Sequence, residues 1–188
     1  KERQNHIFIN GQKELSPNNI NIPSDLSSAA FFIVAALINK NSYVEMKNIN
    51  INPTRDGILK ALDLMGGKLI IKNKRKINGE IVCDIIAKST KLNGCELDDE
   101  MAKLMIDEYP ILSIAASFAN SPSIFRGLGE LKIKESNRLE LIRYNLDNCG
   151  IFCKIKGDDL LIDPTKKISP KQNAVSTAYK TGCKWNLP

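Results

Sequence analysis

The chain has 188 residues, 43% of them hydrophobic and 26% charged. That balance belongs to a soluble globular protein large enough for one domain or two small ones. No apolar run approaches the ~18 residues of a membrane helix, and the polar opening Lys1 to His6 precedes no signal-type apolar core, so a soluble, cytoplasmic protein is expected. The net charge of +6 fits either a lysine-rich surface or a small anionic partner, while scattered basic residues and only 6% aromatics argue against nucleic acid.

In chain order, residues 1–21 read as one strand, "HIFING", and a polar lead-in. "PSDLSSAAFFIVAALI" then reads as a helix capped by Ser24 or Asp25, and "YVEMKNI" as a strand. "NPTRDGILKALDLMGG" has the periodicity of a second helix, with Ile58, Leu59, Leu62 and Met65 on one stripe. Pro53 suits its first turn and Gly66 its C-terminal end, where φ > 0 is needed. Two strands, "KLIIK" and Glu80 to Ala87, close this part, and Lys88 to Glu100 reads as a polar connector.

The same order of parts then returns. "YPILSIAASFA" is a helix with Pro110 in its first turn, and "SIFRGL" is a strand. "KESNRLELIRYNLDNCG" is a helix opening near Ser136, with Leu139, Ile142, Leu146 and Cys149 as its stripe and Gly150 at its end. "IFCKIK" and Asp159 to Asp163 are strands. The second copy follows the first by roughly eighty residues. The expected fold is therefore α/β, with repeated units over 22–90 and 91–163 and an irregular tail over 164–188.

The cysteines Cys83, Cys95, Cys149, Cys153 and Cys183 do not form a disulfide framework and read as structural thiols. Cys149 and Cys153 lie four apart with no histidine or second cysteine pair nearby, which argues against a metal site. His6, the one histidine, cannot supply a catalytic triad or a metal cluster.

"ELKIKESNRLELI", Glu130 to Ile142, crowds Glu130, Lys132, Lys134, Glu135 and Arg138 at the mouth of the last helix. Cations at a helix N-terminus oppose the helix dipole. They suit an anion gripped by an arginine fork, with Glu135 as a proton carrier. The alternative is a surface ion pair between Glu135 and Arg138, worth a few tenths of a kcal/mol. In "MIDEYPIL", Asp107 and Glu108 likewise read either as site acids or as a helix cap. Pattern alone stops at an anion-binding α/β domain.

"MIDEYPILSIAASFA" followed by "LGELKIKESNRL" resembles the 5-enolpyruvylshikimate-3-phosphate synthase family. "IPSDLSSAAFFIVAALI" and "NINPTRDGILKALDLMGGKL" resemble two further segments of that family, in the same order, so the likeness covers roughly residues 20 to 163. The resemblance implies two domains built from βαβαββ units, an inverse α/β barrel-like arrangement, with about two of the family's six units in this chain. It implies transfer of the enolpyruvyl group of phosphoenolpyruvate to the 5-hydroxyl of shikimate 3-phosphate, with release of phosphate and without metal or organic cofactor. By position, Asp107 matches the acid that takes the hydroxyl proton, and Lys134 the lysine near shikimate 3-phosphate. Glu135 matches the residue that shuttles a proton at the methylene carbon, and Arg138 the arginine that binds phosphoenolpyruvate.

Two departures stand out: Asn137 where the family usually has Asp, and Ser24 where it usually has Gly. Nothing here matches the family's early Lys-Ser…Arg, its Ser-Ser-Gln or its late Asp-His-Arg segments. The chain is therefore expected to encode part of a site, to need the missing half, and to be inactive alone. The competing readings are the sibling transferase acting on a nucleotide sugar, a non-catalytic binding module, and a nucleic-acid binder suggested only by charge.

Overall fold

The computed structural model describes residues 16–169 and, ahead of them, 2–3, 6–9, 11 and 14. A short antiparallel pair, β1 (Glu2–Arg3) with β2 (His6–Ile7), lies ahead of the first helix. α1 (Leu26–Ile38) begins at Asp25, whose extended backbone leaves its carboxylate free to accept the Ser28 N–H at 2.7 Å. Ala30, Ile33, Val34 and Leu37 form its inner face.

β3 (Tyr43–Asn50) leads to α2 (Gly57–Leu64), which buries Ile58, Leu59 and Leu62, with Met65 buried at its end. α2 starts later than the proline predicts. The Asn52 carboxamide accepts both the N–H and the hydroxyl of Thr54, at 3.0 and 2.9 Å, and this holds Pro53 in a turn ahead of the helix. The helix ends as expected, with Gly66 at φ 79°. β4 (Lys68–Ile77) and β5 (Glu80–Lys88) form a hairpin through Asn78 and Gly79, both at positive φ, as a tight Asn-Gly turn requires. The sheet order is β3-β5-β4, all antiparallel, and a parallel bridge from Ser24 to Ile49 stands against β3.

The polar connector hides a strand. β6 (Glu96–Leu97) is only two residues long and has no periodic signal, yet Leu97 and nearby Leu92 are both buried. Asp98 then caps α3 (Asp99–Met105), accepting the Met101 N–H at 3.1 Å. One 3-10 turn (Ile106–Glu108) joins α3 to α4 (Tyr109–Ser117), with Pro110 at the start of α4 as predicted. β7 is shorter than expected, Ser123–Phe125, because Gly127 at φ 69° turns the chain into a 3-10 segment, Leu128–Lys132.

α5 (Arg138–Asn148) opens two residues beyond Ser136, where Asn137 accepts the Glu140 N–H at 3.1 Å. It buries Leu139, Ile142 and Leu146, but Cys149 at its end is exposed and leaves the stripe. After Gly150 at φ 80°, β8 (Ile151–Lys156) and β9 (Asp159–Lys167) form the second hairpin. β9 runs beyond Asp163, while residues 170–188, including Cys183, lie outside the described residues.

The second sheet has the order β6-β7-β9-β8, with β6 parallel to β7 and the other pairs antiparallel. With the Ser24 bridge in the place of β6, the first sheet has the same connectivity. The fold is α/β and repeats a βαβαββ unit. One buried cluster runs through both of these sheets and α1 to α5, including Ile33, Leu62, Ile85, Leu112, Phe125 and Ile162. Each such side chain contributes about 1.5–3 kcal/mol when fully buried.

Candidate functional site

Three loop or turn segments and the start of α5 meet at Asp107. It sits on the 3-10 turn between α3 and α4, and three cations reach its carboxylate. Arg138, the first residue of α5, is 3.2 Å away, and Lys134 in the bend ahead of that helix is 3.6 Å away. The third is Arg55, at 3.6 Å, from the turn ahead of α2. The first half of the chain thus places a cation on an acid of the second.

The remaining acids hold these cations in turn. Lys134 pairs with Glu130 at 3.0 Å, and that hydrogen bond, with the charges of Asp107 and Glu130, holds its ammonium above the ordinary lysine range. Arg138 donates one Nη to Asp107 and the other to Glu135, at 3.2 and 2.7 Å. Its side chain is only 12% exposed, and its buried Nε has no hydrogen-bond partner. Such a guanidinium is oriented before it meets a ligand. Glu135 is mostly exposed; its own backbone N–H, and then Arg138, hold its carboxyl below the ordinary range.

Glu108 lies on the same turn and behaves oppositely. It is 3% exposed, and burial pushes its carboxyl above the ordinary range, although the Ser27 hydroxyl of α1 donates to it and Arg55 is near. It stands at the cap position of α4 but makes no cap hydrogen bond. A cavity of about 390 Å³ involves Asp25, Ser27, Asn50, Asn52 and Arg55.

All four residues singled out in the sequence, Asp107, Lys134, Glu135 and Arg138, therefore fall in one ion-paired cluster. Arg55 belongs to it too. "NPTRDG" drew attention as a motif, but no local signal marks its arginine as a partner of Asp107. Among the described residues, no three or more His, Cys, Asp or Glu are placed to hold a metal ion. None of the described helices is long and apolar enough to cross a membrane.

Comparison with known proteins gives one consistent answer. The family model for EPSP synthase (3-phosphoshikimate 1-carboxyvinyltransferase) matches residues 1–179. The 3-phosphoshikimate 1-carboxyvinyltransferase of Sphingopyxis alaskensis is 43% identical over 160 residues, covering 85% of this chain and 36% of the relative. That of Mesorhizobium japonicum is 45% identical over 148 residues, covering 79% and 33%. A solved EPSP synthase from Acinetobacter baumannii superposes with a TM-score of 0.78 at 38% identity, covering 82% of this chain and 35% of that one. The chain spans about a third of the length of the curated relatives it matches.

Proposed function

Because the chain belongs to the EPSP synthase family, we propose that its Asp107 cluster is part of a site for transfer of an enolpyruvyl group from phosphoenolpyruvate to the 5-hydroxyl of shikimate 3-phosphate. The observation that carries this reading is the convergence of Arg55, Lys134 and Arg138 on one carboxylate. Two anionic substrates need several fixed cations, and cations held in place by internal acids need little rearrangement to receive them.

The residues divide the work by chemistry. Arg138 presents a planar fork to the carboxylate of phosphoenolpyruvate, and Lys134 a point charge to shikimate 3-phosphate near the reacting centre. Asp107 takes the proton of the 5-hydroxyl as that oxygen attacks the carbon bearing the phosphate. Glu135 delivers a proton to the methylene carbon, which becomes a methyl group. The tetrahedral intermediate then loses phosphate as Glu135 recovers a proton from the methyl group. A substrate carboxylate on Arg138 competes with Glu135 for the guanidinium. Its arrival weakens the Arg138 influence, one of those that keep Glu135 ionised beside its own backbone N–H and Lys134, and so eases its protonation.

Residues 22–90 and 91–163 are taken as the two repeated units, and the reaction as cytoplasmic, with small molecules rather than nucleic acid answering the +6 charge. A chain spanning about a third of its relatives is expected to bind both substrates without turnover. Phosphorus NMR tests this. Both substrate signals should shift with the 188-residue chain, the phosphoenolpyruvate shift should vanish in Arg138→Ala, and no free phosphate should appear. Unmoved signals with the folded chain would overturn the reading. A response to a UDP-sugar in place of shikimate 3-phosphate would assign the sibling substrate.

A further inference from the structure

Asp107 lies on a backbone turn with little local support. The 3-10 segment Ile106–Glu108 has no side-chain cap, and Met105 just ahead, at φ −157° and ψ 33°, breaks the helical path from α3 to α4. A turn this short depends on contacts from elsewhere in the fold.

Three such contacts come from the first half of the chain. Ser27 Oγ in the first turn of α1 donates to Glu108 Oε1, across 81 positions of sequence. Arg55 pairs with Asp107 at 3.6 Å. Gly57, the first residue of α2, approaches so closely that a Cβ there would stand 2.8 Å from Cγ and 2.9 Å from Cβ of Met105. Glu108 is the costly member of this seam. The Ser27 hydroxyl, the Glu108 backbone N–H and the nearby Arg55 charge do not offset the burial of its carboxyl, which opposes folding, so its placement calls for a role other than stability.

Resting on the reading of Asp107 as proton acceptor, we propose that Glu108 is a positioning residue: with Ser27 it pins the 3-10 turn to α1 and fixes Asp107 among Arg55, Lys134 and Arg138. A proton acceptor works only within hydrogen-bond reach of its hydroxyl, and a displacement of about 1 Å can cost about a hundredfold in rate. The repeated architecture thus sets the acid's position: one unit carries Asp107 and the other holds it.

The test reads the Asp107 carboxyl carbon by NMR in the substrate-free 188-residue chain, assigned through its loss in Asp107→Asn. Glu108→Ala and Ser27→Ala should each displace that resonance, and the double variant no further than the larger single effect. Glu108→Gln keeps an acceptor for Ser27 and should restore most of the original position. Ile162→Ala in β9 is the control for general loosening and should leave the resonance in place. An Asp107 signal unmoved by Ser27→Ala and Glu108→Ala, or displaced as far by Ile162→Ala, overturns the proposal. Should Glu108→Ala fail to fold, Ser27→Ala and Glu108→Gln still decide the question. Substrate signals recorded on the same samples answer separately. A responsive Asp107 with no substrate binding overturns the substrate reading and leaves the pin standing.

Discussion

In the first half of the chain, the helix after the second strand, α2, opens on Asp56, with Lys60 one turn on at 2.6 Å. Its counterpart in the second half, α5, opens on Asn137, with Lys134, Glu135 and Arg138 gathered about it. Almost everything behind those two mouths is shared. Both helices bury an apolar stripe and meet a glycine near φ 80°, and both hairpins turn through two residues.

The last strand of each half also carries a buried aspartate. Asp84 accepts from Asn73 and from the Asn48 N–H, where β3 and β4 both slip register against β5. Asp163 accepts from the N–H and hydroxyl of Thr165. The frame repeats and the mouths do not. Apolar positions and glycines build the unit, and the charged residues ahead of the helices distinguish its two copies. The first half contributes Arg55, Ser27 and Gly57 as bracing, and the second contributes the acid and two further cations.

If the two halves share one core, the largest effects should be alike on either side. Leu37→Ala in α1 and Leu112→Ala in α4 remove fully buried side chains of the same cluster, and each should cost about 2–5 kcal/mol. Calorimetry should show one cooperative transition in both. Two transitions, with only one moved by each variant, would break the comparison.

The helix caps offer the next test, since Asp25 and Asn137 perform the same task in different halves. Asp25→Ala and Asn137→Ala should each cost about 0.5–2 kcal/mol by denaturant titration. Asn137→Asp should keep the cap.

Glu108 sharpens the contrast through pH. Its carboxyl is raised by burial, so the folded chain holds that proton to higher pH than the unfolded chain. Stability is lost as pH rises from the ordinary glutamate range through the raised value, and it stays lost above it. Glu108→Gln should therefore raise the melting temperature at neutral pH, read by calorimetry. The gain should fade below the ordinary glutamate range. Asp84 and Asp163 have the opposite sign: their hydrogen bonds, led by Asn73 and Thr165, lower the carboxyls. Their contribution is lost as pH falls through those lowered values. The smallest effect belongs to Lys103→Ala, whose pair with Glu100 is well exposed; its denaturation midpoint should match that of the parent chain.

What could be read from sequence followed the same division. The stripe of α2, that of α5 apart from Cys149, the Asp25 cap, Gly66 and Gly150 are local signals and lie where the local pattern puts them. β6 was not legible, because two residues carry no period and Leu97 is a strand residue only through its pairing with Phe125. Pro53 misled because an Asx turn at Asn52 competed with the helix start. The charge pattern marks Asp107, Lys134, Glu135 and Arg138 and the resemblance gives them roles; it leaves Glu108 open between site acid and cap, and the placements of Arg55 and Glu108 depend on contacts across the chain. Ser27 and Glu108 stand 81 positions apart, and no window of sequence joins them.

The most direct measurement of the central claim, that the cluster at Asp107 receives anionic substrates through an oriented guanidinium, is calorimetric titration of phosphoenolpyruvate into the chain and its Arg138→Lys variant. Lysine keeps the charge and loses the fork. The account predicts phosphoenolpyruvate binding weakened about tenfold or more, the loss expected for a charge-assisted hydrogen bond, with shikimate 3-phosphate affinity unchanged. Equal affinity for phosphoenolpyruvate in both proteins would contradict it.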